Sequence, residues 1–280
     1  MILRPLDQDG GYIENAQTAQ VARMAATFRT DDNMVPAWMV VAQTQGANAS
    51  RYLLVGQPDH ALLAGQLAAA FEAGFLPEIT EQVSQGIAVH DNGWAQFPFE
   101  RDLAMEPPVD ANGRPKSFLQ VTVHDSLSAW RESIEAGREV GPLAEYMVSG
   151  HFYRLGKVRL QMKVDSPEDT EHVQQFVHEE ENRQKKLASK TSLSHEELDR
   201  YVDLLQFCDT LSLYLCCGST AATEFPQEFG GRKLRIRHED GVYVTEPSVF
   251  GGVPHRFSIP VRVYPSNEGE GRTRIGFHIK

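Results

Sequence analysis

Four side chains of the kind that holds divalent cations interrupt apolar helical stripes: His60, His90, Asp91 and Asp209. His60 opens a stripe continued by Leu63, Leu67 and Phe71, while His90 follows Ile79, Val83 and Ile87 at helical spacing with Asp91 beside it. Asp209 stands four residues from both Leu205 and Leu213, inside the apolar run Leu204 to Cys217. A carboxylate left without a partner there is costly, so something must compensate it. Neutral imidazole and ionised carboxylate are ligands for hard and borderline cations, and these groups, spread over three helices, supply one mononuclear site. His151, which continues Ala144, Met147 and Val148, and His124, beside Asp125 near a helix start, would complete a second site in which Asp91 bridges two ions.

The elements that must position these groups are mostly helical. The apolar spacing predicts helices at roughly 59–73, 78–91, 122–137, 142–153, 167–188 and 195–217. Ser166-Pro167 offers an N-cap with proline at the first helical position, and Ser194 to Glu197 reads as a capping box. Met1 to Leu6, Ala37 to Gln43 and Tyr52 to Gly56 read as strands, the last two forming a hairpin around the polar stretch 44–50. Lys233 to Arg237, Gly241 to Thr245, Phe257 to Tyr264 and Thr273 to Ile279 are strands at the other end. The expectation is a single domain over 1–280: a helical body at about 57–217, with strands from 1–56 and 230–280 pairing into one accessory sheet. Phe97 to Phe118, with four prolines, is a long irregular loop between the second and third helices.

Composition narrows the partners. The net charge of −11 repels nucleic acid and anionic membranes, and Arg183 to Lys186 directly follows Glu179-Glu180-Glu181, as on a solvated helix face. No window approaches the ~20 apolar residues of a bilayer span, and the first thirty residues hold no signal peptide. Cys208, Cys216 and Cys217 share one apolar segment and read as core side chains in a reducing, cytoplasmic setting. His172, His178, His195, His238, His255 and His278 lie among charged or strand-edge residues and are assigned no role.

The order His60, His90-Asp91, Asp209 resembles the HD superfamily of metal-dependent phosphohydrolases, named for the adjacent His-Asp pair. The strings Gln57-Pro58-Asp59-His60-Ala61, His90-Asp91-Asn92-Gly93-Trp94, Ser149-Gly150-His151-Phe152 and Cys208-Asp209-Thr210-Leu211-Ser212-Leu213 look like a bacterial family catalogued as domain of unknown function 3891. The resemblance implies a mainly α, HD-type helical bundle with accessory β-strands, and one or two divalent ions of Mn, Fe, Zn or Mg. Asn92 to Ala95 lack the acidic pair of the alarmone hydrolases, and no Gly-Tyr-Pro motif marks a cyclic dinucleotide phosphodiesterase. The implied activity is hydrolysis of a small phosphorylated substrate, a phosphate ester or nucleotide, with Asp91 as the catalytic bridging group. Arg154 and Lys157 would clamp phosphate and Trp94 would stack on a base or sugar. The alternatives are an HD-type di-iron oxygenase of a small polyol or phosphonate, and a non-catalytic metabolite-binding protein; a homo-oligomer is compatible with each.

Overall fold

The structure, a computed structural model, describes residues 1–6, 51–266 and 271–280. Two strands, β1 (Ile2–Leu6) and β2 (Arg51–Val55), lead into helices α1 (Gln57–Ala69) and α2 (Glu81–Ala88). A 3-10 turn (Asn92–Gln96), the short helix α3 (Pro98–Arg101) and a second 3-10 turn (Phe118–Gln120) connect them to α4 (Val123–Val140). Three long helices follow: α5 (Pro142–Met162), α6 (Pro167–Ala188) and α7 (His195–Cys216). The chain then forms β3 (Thr223–Phe229), β4 (Arg232–Glu239), β5 (Val242–Glu246), β6 (His255–Tyr264) and β7 (Arg272–Ile279). Of the expected hairpin, the strand at 37–43 and the turn at 44–50 lie outside the described residues.

The seven strands among the described residues form one sheet in the order β1-β2-β6-β7-β5-β4-β3. The two ends of the chain meet where β2 runs antiparallel to β6, with Leu53 opposite Val263. The sheet is not accessory, and this overturns the mainly α, HD-type bundle. Half of the described residues are helical and 22% are strand, and the sheet curls into a half-barrel. Its inward side chains Leu234, Ile236, Ile259, Val261 and Phe277 belong to the same core as Leu63 and Leu67 of α1 and Phe207 and Leu211 of α7. Strand β3 lies outside the expected C-terminal strands, which begin at 233. Phe225, Gln227 and Phe229 turn inward while Glu224, Pro226 and Glu228 face out, an alternation too polar to read as a strand.

Glycines set how closely the helices approach. A Cβ on Gly65 of α1 would lie 2.5 Å from the Ala88 side chain of α2, and one on Gly86 of α2 would lie 2.7 Å from that of Ala144 in α5. Gly150 of α5 meets Val202 of α7 in the same way, at 2.6 Å, one residue before His151. Gly93 is the tightest: a Cβ there would come within 2.0 Å of the Ala129 carbonyl oxygen of α4. The long loop is anchored rather than loose, because the Arg262 guanidinium of β6 donates to the carbonyls of Leu103 at 3.3 Å and Met105 at 2.5 Å.

The Gly93 contact leads to a stability prediction. Gly93→Ala forces a methyl group into the α4 backbone, and it is expected to lower stability by about 1–3 kcal/mol or more, seen as a reduced urea midpoint at unchanged slope. An unchanged midpoint would show that the turn yields without cost.

Candidate metal centre

The sheet and the glycine contacts hold four elements so that one small volume receives a side chain from each. His60 comes from the first turn of α1, His151 from the middle of α5 and Asp209 from the second half of α7. His90 and Asp91 do not sit on a helix, as expected from 78–91, but in the turn after α2. Asp91 adopts φ −117° and ψ 18°, and the turn closes through His90 N–H to Ile87 O at 3.3 Å and Trp94 N–H to Asp91 O at 3.2 Å. Leaving the helix frees the two neighbours from the ~100° that separates adjacent helical side chains.

His60, His90 and His151 are buried, and their rings meet edge to face at 5.2 Å for His60–His90 and 5.4 Å for His90–His151. His60 Nε2 lies 2.8 Å from Asp91 Oδ2, and His90 Nε2 lies 3.8 Å from that same oxygen and 3.4 Å from Asp209 Oδ1. His151 Nε2 is 4.0 Å from Asp209 Oδ2. Asp209 and Asp91 keep 15% and 10% of their side-chain surface exposed against 1% and 0% for His60 and His90, so the centre opens on its carboxylate side.

The surrounding hydrogen bonds decide which atoms face inward. Ser212 donates its one hydroxyl hydrogen to the Asp209 carbonyl at 2.8 Å, so towards His60 Nδ1, 2.9 Å away, it can only accept. His90 Nδ1 donates to the Ile87 carbonyl at 2.7 Å. Both Nδ1 atoms therefore hold the proton, and both Nε2 lone pairs point at carboxylate oxygens. That arrangement is repulsive unless a cation, a proton or a metal ion, lies between them. His90 Nε2 and His151 Nδ1 are also buried without a hydrogen-bond partner among the described residues. The Trp94 indole donates to Asp91 Oδ1 at 3.1 Å, which leaves Oδ2 for the shared volume.

The residues fit a metal ion. Ligand atoms of His60, His90 and Asp209 lie within 4.8 Å of one another. Tetrahedral coordination with bonds of about 2.0–2.2 Å needs ligands roughly 3.4 Å apart, close to the separations between the Nε2 atoms and the two carboxylates. The electrostatics agree in sign. Burial pulls the His90 imidazole down, but Asp91 and Asp209 outweigh it and hold it up to about 9. Burial likewise raises Asp91, and His90 and His60 override it to bring the carboxyl down to about 2. The charge of His90 keeps Asp209 low in the same way, against the effect of its burial. His151 has burial as its main influence and falls to about 4. Beside the centre, burial and then Asp209 push the Cys208 thiol well up, and all three cysteines are core side chains.

Not every predicted residue arrives here. His124 is exposed on the first turn of α4, where Thr122 provides the cap, and so it is not among the buried groups. Trp94 is buried and orients Asp91, which corrects its reading as a stacking platform. Arg154 is turned onto α7, bonded to Asp203 at 2.6 Å and Gln206 at 2.7 Å, so its guanidinium is already committed. Lys157 lies six residues beyond His151, about 9 Å along the helix, over the ring of Tyr153. Ser212 joins the centre with little trace in the sequence: its signal is a hydroxyl three residues after Asp209 in an apolar run.

Fold and site together describe a mixed helix-and-sheet protein built around a buried His/Asp cluster. The chain belongs to the family described as Protein of unknown function (DUF3891), whose model matches residues 39–265 and so takes in the whole cluster. Neither a curated protein nor a solved structure matches it. Among the described residues, no helix is long and apolar enough to cross a membrane.

Two measurements check the geometry. In metal-free protein, His90, raised from 6.5 to about 9, contributes stability that is complete below pH 6.5 and lost as pH rises through 9. His151, lowered from 6.5 to about 4, has the opposite sign, because below pH 6.5 the unfolded chain takes up a proton that the folded one refuses. Urea unfolding should therefore show maximal stability near pH 6.5; a flat profile from pH 5 to 9 would remove the pairing. Separately, Ser212→Ala should weaken divalent-ion affinity by roughly 10–100-fold in competition with a fluorescent chelator, and Ser212→Thr should restore it. Equal affinity in all three proteins would make the hydroxyl a helix detail only.

Proposed function

We propose that this protein is a metal-dependent phosphohydrolase acting on a small phosphate ester or nucleotide in the cytoplasm. The observation that carries the reading is the pair of buried Nε2 lone pairs of His60 and His90 directed at Asp91 Oδ2 and Asp209 Oδ1. Two imidazoles and two carboxylates balance the charge of one dication and suit Zn, Mn or Fe better than Mg, which prefers an all-oxygen shell. The order His60, His90-Asp91, Asp209 is that of the HD superfamily ligands, and it favours phosphate chemistry even though the surrounding fold is not the expected bundle. A divalent ion held by His60, His90, Asp91 and Asp209 would lower the pKa of a bound water from ~15.7 towards neutrality and polarise a phosphoryl oxygen.

The chain's own groups would divide the remaining work. Asp91 orients through Oδ2 while Trp94 holds Oδ1, and Asp209 stands at the opening where substrate enters. His151, neutral at pH 7, presents an imidazole beside Asp209 Oδ2 for a hydrogen bond to substrate. A single ion accounts for the geometry better than two. The di-iron oxygenase reading needs both His124 and His151 for its second ion, and His124 is exposed on α4. The net charge of −11 favours a small substrate over a nucleic acid polymer.

Asp91→Ala is expected to lose bound metal, measured by elemental analysis, together with hydrolysis of bis(p-nitrophenyl) phosphate. Asp209→Asn is expected to lower metal affinity at least tenfold with unchanged circular dichroism. A wild-type protein that retains metal but turns over no phosphate ester, or an Asp91→Ala variant that retains both metal and turnover, overturns the proposal.

A further inference from the structure

A second concavity lies between α5, α6 and α7, away from the His/Asp centre. Its volume is about 620 Å³, within the range of sites that enclose a metabolite-sized molecule. Tyr146 and Tyr153 supply aromatic wall, Gln184 an amide, and Lys157 an ammonium group. No ligand of the proposed metal centre lines it.

The unmet groups in this wall share one character. Tyr146 is 1% exposed, yet its hydroxyl has no hydrogen-bond partner among the described residues, and the same holds for Gln184 Nε2. Lys157 is exposed and makes no ion pair within 4 Å among the described residues, its ammonium resting 5.5 Å above the Tyr153 ring. The other wall charges are matched: Lys185 with Glu181 at 2.7 Å, and Arg154 with Asp199 at 3.4 Å. What remains is a hydroxyl, an amide N–H and a cation, all able to donate. A buried donor left unsatisfied is costly, so the partner that fits brings acceptor oxygens and, for Lys157, negative charge.

We propose that this cavity binds a small organic anion, its phosphate or carboxylate oxygens accepting from Lys157 Nζ, Tyr146 Oη and Gln184 Nε2. The volume leaves room for an organic body beside the anionic group, against the Tyr153 face. Because this site shares α5 and α7 with the metal centre but none of its ligands, binding does not require metal.

Calorimetric titration of the full chain, stripped of metal by chelation and dialysis, tests this with glucose 6-phosphate, citrate and inorganic phosphate as probes. Saturable binding of glucose 6-phosphate or citrate supports the proposal if Lys157→Ala and Tyr146→Phe each weaken it at least tenfold. The arm that binds distinguishes phosphate from carboxylate. Tyr146→Phe keeps the ring that packs on Leu198 and Val202, so an unchanged unfolding midpoint shows that only the hydroxyl was removed. No saturable binding of either organic anion, binding that appears only when metal is restored, or affinity indifferent to both substitutions overturns it.

Discussion

Two imidazole lone pairs aimed at two carboxylates inside a protein cannot persist without a positive charge between them. Everything near the centre is arranged around that requirement. Ser212 and the Ile87 carbonyl commit the Nδ1 protons of His60 and His90, and the Trp94 indole occupies the outer oxygen of Asp91. The charge that remains to be filled is therefore located at the Nε2 and Oδ atoms and nowhere else. In metal-free protein a proton fills it, which is why His90 stays charged at neutral pH despite complete burial. A divalent ion would displace that proton, so occupancy and acidity are coupled in this site.

The convergence depends on backbone proximity. His60, His151 and Asp209 belong to helices that meet α2 or one another through Gly65, Gly86 and Gly150, and the His90-Asp91 turn is pressed onto α4 through Gly93. Each contact removes roughly one side-chain layer between neighbouring elements. The sheet supports this packing from outside, since β6 and β7 carry Ile259, Val261 and Phe277 into the core that backs α1 and α7. It also ties down the segment after the His-Asp turn, through Arg262 and the carbonyls of Leu103 and Met105.

What could be read from the sequence follows from what the physics makes local. Charged and imidazole groups inside apolar stripes stand out in one dimension, and His60, His90, Asp91, His151 and Asp209 were legible for that reason. The long helices and their caps at Ser166 and Ser194 were legible too, because capping is a matter of adjacent residues. Most strands, and the pairing of the two chain ends into one sheet, were legible as well; the sheet's share of the core was not, since it is set by contacts between distant segments, and β3 hides its inward phenylalanines among Glu, Gln and Pro. His124 failed because an amphipathic position near a helix start serves solvent as readily as an interior. Ser212 and the role of Trp94 were invisible because each acts through a hydrogen bond to a ligand, and neither departs from the composition of its segment.

Cys208 adds a consequence of its own. It is the softest donor in the neighbourhood, one residue from Asp209, yet burial and that carboxylate keep it as a neutral thiol. Thiols coordinate copper or react with peroxide chiefly as thiolates. The fold thus keeps sulfur chemistry silent next to an oxygen- and nitrogen-lined pocket, a safeguard against capture by thiophilic ions and against oxidative damage at the position where it would be most disruptive.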